Sequence, residues 1–174
     1  TVAALAVEAG RPASTVALEL LVADRLGTGI LQHVGDEANV RTMMAHPRHT
    51  GGSDGILVGY KPHPRAWGTF PRYLVHYVRE EGVLRLEDAI VHLSARPAAL
   101  LGLADRGRIA PGMVADVVLF DPATVADRAT FAAPRRQAAG IPWVFVAGEA
   151  VIADGERTGS RPGRALRSTA CAAS

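Results

Sequence analysis

Apolar residues recur at helical spacing in four stretches of the chain and at strand spacing in several shorter ones. In Arg11–Gly27, Val16, Leu20, Leu21 and Leu26 share a stripe, Pro12 stands near the start with Ser14 as a candidate cap, and Gly27 ends the run, which predicts one helix. Thr28–Val34 is short, mostly apolar and bounded by Gly27 and Gly35, the form of a buried parallel strand. Asp36 can cap a second helix in which Val40, Met43 and Met44 share a face and which Pro47 ends, and His49–Ser53 reads as a second short strand. Strand, helix, strand is a βαβ unit. A third helix is expected from Thr69 or Phe70 to Gly82, with Pro71 in its first turn and Leu74, Tyr77 and Val78 inward. A fourth runs from Leu86 to Ser94, with Glu87 and Asp88 in its first turn and Leu86, Ala89, Ile90 and Leu93 on one face; Pro97 stops it, and Ala98–Leu101 form a further short turn.

Beyond Gly107 the period changes. Val117–Phe120, Trp143–Val146 and Glu149–Ile152 are strand-like runs separated by the turn pairs Pro111-Gly112, Asp121-Pro122, Ala147-Gly148 and Asp154-Gly155, which predicts a small antiparallel sheet. The segment 123–140, with Arg135-Arg136, reads as a loop, and 163–174 as a tail with little to hold it. The chain thus divides into an α/β part at 1–106, β-strands at 107–160 and a tail at 161–174. Neither folded part is complete, since two parallel strands cannot close a barrel and three or four antiparallel strands make only part of a sandwich.

With 174 residues, 48% hydrophobic and 21% charged, the chain can bury a core and is not a disordered segment. Its net charge of +2, carried by 18 arginines and the single Lys61 without aromatic interleaving, gives no reason to expect nucleic acid. The one cysteine, Cys171, allows no intrachain disulfide, and a cytoplasmic setting is expected. No apolar run approaches the length of a membrane span, and Thr1–Gly10 has no basic leader before its apolar residues, so neither a membrane segment nor a signal peptide is expected. A start at Thr1 without Met suggests a cut chain.

Candidate chemistry concentrates in Gly51–Arg72, GGSDGILVGYKPHPRAWGTFPR, which holds one aspartate, His63, Arg65 and Arg72 among five glycines and three prolines. That composition argues for a long loop opening where the His49–Ser53 strand breaks, with Asp54 on the rim where βαβ units gather ligands. A simpler role is also open to Asp54, an Asx-turn before Gly55, and Arg65 can equally be a solvated loop arginine. His33, within an apolar strand, reads first as a packed residue. His46 and His49 flank Pro47 as dipole-compensating surface residues, and His76 and His92 as surface or packing residues. A structural zinc on His46, His49 and His63 matches no standard spacing.

Ser53-Asp54-Gly55, then His63-Pro64-Arg65 and Gly68-Thr69-Phe70-Pro71-Arg72, followed by Gly107-Arg108-Ile109-Ala110-Pro111-Gly112-Met113-Val114-Ala115-Asp116 and by Thr158–Arg167, resemble the N-acyl-D-amino-acid deacylases (D-aminoacylases) of the amidohydrolase superfamily, from about Gly35 onward. The resemblance implies the last two strands and helices of a (β/α)₈ barrel followed by later strands of a small β-sandwich, the C-terminal part of a longer protein. It implies zinc, held by a Cys and two His upstream of this stretch, so that the chain alone is expected to be metal-free. A metal in such enzymes lowers the pKa of a bound water to about 7 and polarises the scissile carbonyl. Asp54 matches the aspartate that carries the water's proton to the leaving amine, a role worth roughly 10²–10⁴-fold, and is also a candidate second-site metal ligand. Arg65 matches the arginine that grips the substrate's free carboxylate, with His63, Ser53 and Gly55 beside it. The expected partners are an N-acyl-D-amino acid and the rest of the same protein, without which exposed apolar surface should self-associate. The family usually has a β-branched residue or Met before GSDG and a Pro soon after, where this chain has Thr50-Gly51-Gly52 and Ile56-Leu57-Val58, which leaves the preferred substrate open. Also open are another amidohydrolase, dihydroorotase-like or specific for D-acidic residues, and a non-catalytic interaction domain derived from this fold.

Overall fold

The computed structural model describes residues 1–31 and 34–166, which fall into two compact units, Thr1–Asp36 and Glu37 onward. In the first unit α1 (Val2–Ala9) and α2 (Ala13–Ala23) pack on each other across a turn at Gly10. Helix α1 was not expected from the sequence; the Thr1 side chain caps it by accepting from the Ala4 amide at 3.1 Å. Pro12, not Ser14, occupies the cap position of α2. The predicted strand at Thr28–Val34 is absent at Thr28–Leu31 and at Val34, where no ladder forms; Gln32 and His33 lie outside the described residues.

The second unit opens with α3 (Glu37–Ala45). Val40 and Met44 pack inward as expected, but Met43 is 61% exposed. The next helix starts at Arg65, earlier than the sequence pattern suggested. It runs as α4 (Arg65–Arg72) and continues as a wider, π-type coil through Tyr73–Glu80. Pro71 supplies the reason: it lacks the N–H that a regular turn would use and crowds the turn before it, and the coil beyond it widens to the next hydrogen-bond spacing. The helix that follows repeats the device, α5 (Leu86–Ile90), a π-type turn at Val91–Ala95, then α6 (Arg96–Leu100). Pro97 therefore does not stop this helix; it stands in the first turn of α6, where a missing N–H costs little. Tyr73, Tyr77, Leu84, Ala89 and Met44 form the core, with Val40, Val78, Val83 and Leu93 against it.

Four short strands, β1 (Val117–Leu119), β2 (Trp143–Val146), β3 (Glu149–Ala153) and β4 (Glu156–Arg157), form one antiparallel sheet in sequence order. Val118 pairs with Val144 and Phe145 with Ala150, with a bulge between Val144 and Phe145. The 123–140 loop is held from both sides. Arg79 Nη1 donates to the carbonyls of Pro122, Ala123 and Val125 at 3.2, 3.1 and 2.8 Å, and Gly140, at φ 73°, lies so close that a Cβ there would sit 2.6 Å from the Val125 backbone nitrogen. The boundary expected at 106/107 falls inside this second unit.

His49–Ser53 is not helical, but neither does it pair as a strand. Its backbone is satisfied by helix residues instead: the Gly51 amide donates to the His92 carbonyl at 3.1 Å, and Arg96 Nη1 donates to the His49 carbonyl at 2.7 Å.

Candidate functional site

The predicted site residues meet where the Ser53-Asp54-Gly55 turn touches the start of α4. The turn is closed by Ser53, whose Oγ accepts from the Gly55 amide at 3.2 Å. A Cβ on Gly55 would lie 3.0 Å from the Ala66 Cα, so only glycine lets the turn approach the helix this closely. Asp54 takes a left-handed conformation, φ 46°, which aspartate tolerates better than most residues. The result is an exposed carboxylate, 85% accessible, whose Oδ2 stands 3.0 Å from Arg65 Nη2. The Asx-turn role is therefore filled by Ser53, and the Asp54 carboxylate faces a guanidinium.

Arg65 is aimed from below by its own backbone. Its amide donates to His63 Nδ1 at 3.0 Å, and its carbonyl accepts from Thr69 Oγ1 at 2.8 Å. Its Nε is buried and has no hydrogen-bond partner among the described residues, while the guanidinium tip reaches toward Asp54. The His63 ring meets Phe131 edge-on at 5.2 Å, which ties the His63-Pro64-Arg65 corner to the 123–140 loop. On the far side of α4 the same loop approaches through Asp127, whose Oδ1 would be 2.4 Å from a Cβ on the buried Gly68, and through Arg135, which lies 5.2 Å over the Trp67 ring and donates to the Gly59 carbonyl at 2.7 Å. The sequence reading missed these loop residues, since nothing in the periodicity of 123–140 points toward α4.

A second group, which the sequence reading did not bring together, is formed by His49, His92 and Tyr73. Of the two roles left open for His92, surface or packing, burial at 4% exposure selects packing, while His49 is half-buried rather than a surface residue compensating a helix dipole. Their Nδ1 atoms are 3.2 Å apart, and His49 Nε2 is 3.3 Å from the Tyr73 hydroxyl. Burial, then the neighbouring His92 and Arg96, hold His49 below its ordinary pKa; burial and Arg96 do the same to His92 against the opposing pull of Asp88. Burial pushes the Tyr73 hydroxyl up.

Among the described residues, Glu37, His76 and Glu81 bring three ligand-type atoms within 4.8 Å of one another. Arg41 engages Glu81 through two bonds of 2.6 and 2.7 Å, holding its carboxyl below the usual range, and Tyr77 donates to Glu37 at 2.9 Å, so the cluster is satisfied as an interhelical ion network. Asp54 is not part of it, and the described residues around Asp54 form no metal-ligand set. Among the described residues no helix is long and apolar enough to cross a membrane.

With this geometry in place, comparison with known proteins gives the family. The model of the amidohydrolase family matches residues 1–156, and the chain belongs to that family. It is 46% identical over 142 residues to the D-aminoacylase of Alcaligenes xylosoxydans xylosoxydans, covering 82% of this chain and 29% of the relative. It is 45% identical over 164 residues to the N-acyl-D-aspartate deacylase of the same organism, covering 90% and 33%. Among solved structures it resembles the N-acyl-D-glutamate deacylase of Bordetella bronchiseptica, complexed with zinc and a phosphonate inhibitor, with a TM-score of 0.77 and 39% identity over 96% of this chain and 34% of that one. The chain thus spans about a third of the length of these relatives.

Proposed function

We propose that this chain forms the C-terminal part of an amidohydrolase that cleaves N-acyl-D-amino acids to a carboxylate and a free D-amino acid. The observation that carries the reading is the meeting of Asp54 and Arg65 at 3.0 Å on an exposed turn. Relatives named for D-amino-acid substrates, aligned across most of the chain, support it. In this reading residues 1–106 belong to a barrel and contribute its last two strands once the neighbouring strands supply a ladder. Residues 107–160 then belong to a sandwich. The exposed Ile56, Leu57, Val58 and Tyr60 are the surface that the rest of the protein covers, and without it the chain self-associates.

Asp54 serves as the proton carrier. Its carboxylate takes a proton from the attacking water as the new C–O bond forms, and delivers it to the amide nitrogen as the C–N bond breaks. Arg65 binds the substrate's α-carboxylate through two parallel N–H donors, which sets the scissile amide against Asp54. In the chain as it stands Arg65 is paired with Asp54, so an arriving carboxylate competes for the guanidinium and leaves Asp54 free to accept a proton. Ser53 and Gly55 shape the turn, and His63 fixes the backbone at Arg65. The resemblance assigns zinc to residues upstream of this stretch.

In the full-length protein, Asp54→Asn keeps the size of the side chain and removes the proton carrier; kcat should fall by about 10²-fold or more with KM within a few-fold. Arg65→Lys keeps the charge and loses the two-pronged grip, so KM should rise about tenfold or more. N-acetyl forms of D-Met, D-Asp and D-Glu, assayed side by side, decide the side-chain class. No turnover of any of them by the wild type would leave the interaction-domain reading standing, and hydrolysis of an α-amide as fast as the acid would remove the role given to Arg65.

A further inference from the structure

We propose that His49, His92 and Arg96 are positioning residues for Asp54, clamping the backbone that leads into its turn onto the helix that runs from Leu86 to Leu100. The inference rests on the role given above to Asp54. Two hydrogen bonds hold the segment: Arg96 Nη1 to the His49 carbonyl at 2.7 Å, and the Gly51 amide to the His92 carbonyl at 3.1 Å. Between these anchors the His49 ring fills the gap, with Nε2 at 3.3 Å from the Tyr73 hydroxyl and Nδ1 at 3.2 Å from His92 Nδ1. Asp54 follows Gly51 by three residues, too short a tether to stay in place if the anchor slips. A misplacement of about 1 Å at a reacting group can cost 10²-fold in rate.

The chemistry of the ring pair makes the clamp acid-sensitive. Two Nδ1 atoms at hydrogen-bond distance need one proton between them, one ring donating and the other accepting. A single added proton is tolerated, because a charged His49 can donate to both Tyr73 and His92. When both rings are charged, two N–H groups point at each other, and the contact breaks. The surroundings favour the neutral pair. Tyr73 and Arg96 face it without offering negative charge, and the depression of about 360 Å³ beside His92 is lined by Arg85, Arg96 and the single carboxylate Asp88. Asp88 is itself held by Arg85 through bonds of 2.8 and 3.0 Å. The clamp is closed at neutral pH and opens on acidification.

The test uses the full-length protein and two readouts. Hydrogen exchange of the peptide spanning 49–58 is compared between wild type, Arg96→Met, Arg96→Lys, His92→Leu and His92→Asn, the last of which places an amide atom near the position of Nδ1. Exchange at Gly51 should quicken by about tenfold or more in Arg96→Met and His92→Leu, and return toward the wild-type rate in the Lys and Asn variants. In the same two apolar variants kcat should fall by about tenfold or more with KM within about twofold. In His92→Asn, which cannot take up a proton, the acidic limb of the kcat profile should move to lower pH. Unchanged exchange in Arg96→Met and His92→Leu overturns the clamp whatever the activity. Faster exchange with unchanged kcat overturns the positioning role. If the wild type hydrolyses no N-acyl-D-amino acid, the functional reading has failed, and the exchange data still decide whether the clamp exists.

Discussion

Gly51 and Gly52 are neighbours with opposite surroundings, and substituting each in turn measures how firmly the segment before Asp54 is packed. A Cβ on Gly51 would lie 2.3 Å from Leu93 Cδ2 and 3.3 Å from the Tyr73 ring, whereas a Cβ on Gly52 meets nothing within 4 Å. Ordinary contact begins near 3.4 Å, so Gly51→Ala requires Leu93 to withdraw by roughly 1 Å. Leu93 cannot do this freely, because it packs against the Met44, Tyr73, Tyr77, Leu84 and Ala89 core. Overpacking of this kind costs about 1–3 kcal/mol. Gly52→Ala should be neutral or stabilising by about 0.4–1 kcal/mol, through the narrower unfolded ensemble. For a chain of this size each kcal/mol moves Tm by roughly 2–4 °C, so thermal unfolding followed by circular dichroism should place Gly51→Ala well below Gly52→Ala. Leu93→Ala removes the clashing methyl, and the double variant Gly51→Ala/Leu93→Ala should be more stable than the sum of the single changes predicts, by about 0.5 kcal/mol or more. Equal Tm values for the two glycine variants, or strict additivity with Leu93→Ala, would refute the packing described for this segment.

Arg79→Met deletes three contacts to the carbonyls of Pro122, Ala123 and Val125 while keeping the length of the side chain; unfolding by urea should show a loss of about 1.5–3 kcal/mol, and Arg79→Lys should recover only part of it. His49 and His92 are bases whose folded pKa lies below the ordinary 6.5, so the unfolded chain takes up protons first. Their contribution is therefore complete above 6.5 and declines as pH falls from there toward the folded values. A urea midpoint that does not fall over that window, or that falls as much in the double variant His49→Asn/His92→Asn, would contradict the assignment.

The elements most legible in the sequence are those decided by local chemistry. The strands at Val117, Trp143 and Glu149 follow from β-branched and aromatic runs between tight turns, and each hydrogen-bonds to a strand adjacent in sequence. The end of α3 was marked by Pro47, and the entry to α2 by Pro12. Proline misled at both Pro71 and Pro97: Pro71 was expected to open its helix, which instead begins at Arg65 and runs through it into a wider coil, and Pro97 was expected to stop a helix that continues past it. Thr28–Val34 and His49–Ser53 show a deeper limit. A buried parallel strand is defined by its neighbours, and an apolar run between glycines says only that the segment suits such a place. In this chain the backbone of the second run turns to Arg96 and His92 for its hydrogen bonds.

The candidate site was legible for a different reason from the fold. Asp54 and Arg65 stand eleven positions apart in a stretch without periodicity, and no spacing rule brings them within 3.0 Å. What joins them is a pair of small residues, Gly55 and Ala66, whose close approach docks the turn on the first turn of α4. Gly55, one of the motif letters that mark the resemblance, thus carries the contact physically, and Ala66, which lies between two motif elements, meets it: a larger residue at either position would push the carboxylate off the guanidinium. His49, His92 and Arg96 had no such mark. His92 and Arg96 stand four apart on one helix, and His49 stands two before a glycine that must lie flat on that helix, a relation that exists only once Gly51 has packed against Leu93. Asp54 and Arg65 lie in short stretches whose letters can be read one by one, whereas His49, His92 and Arg96 are related only through a packed surface, and only the folded chain displays that relation.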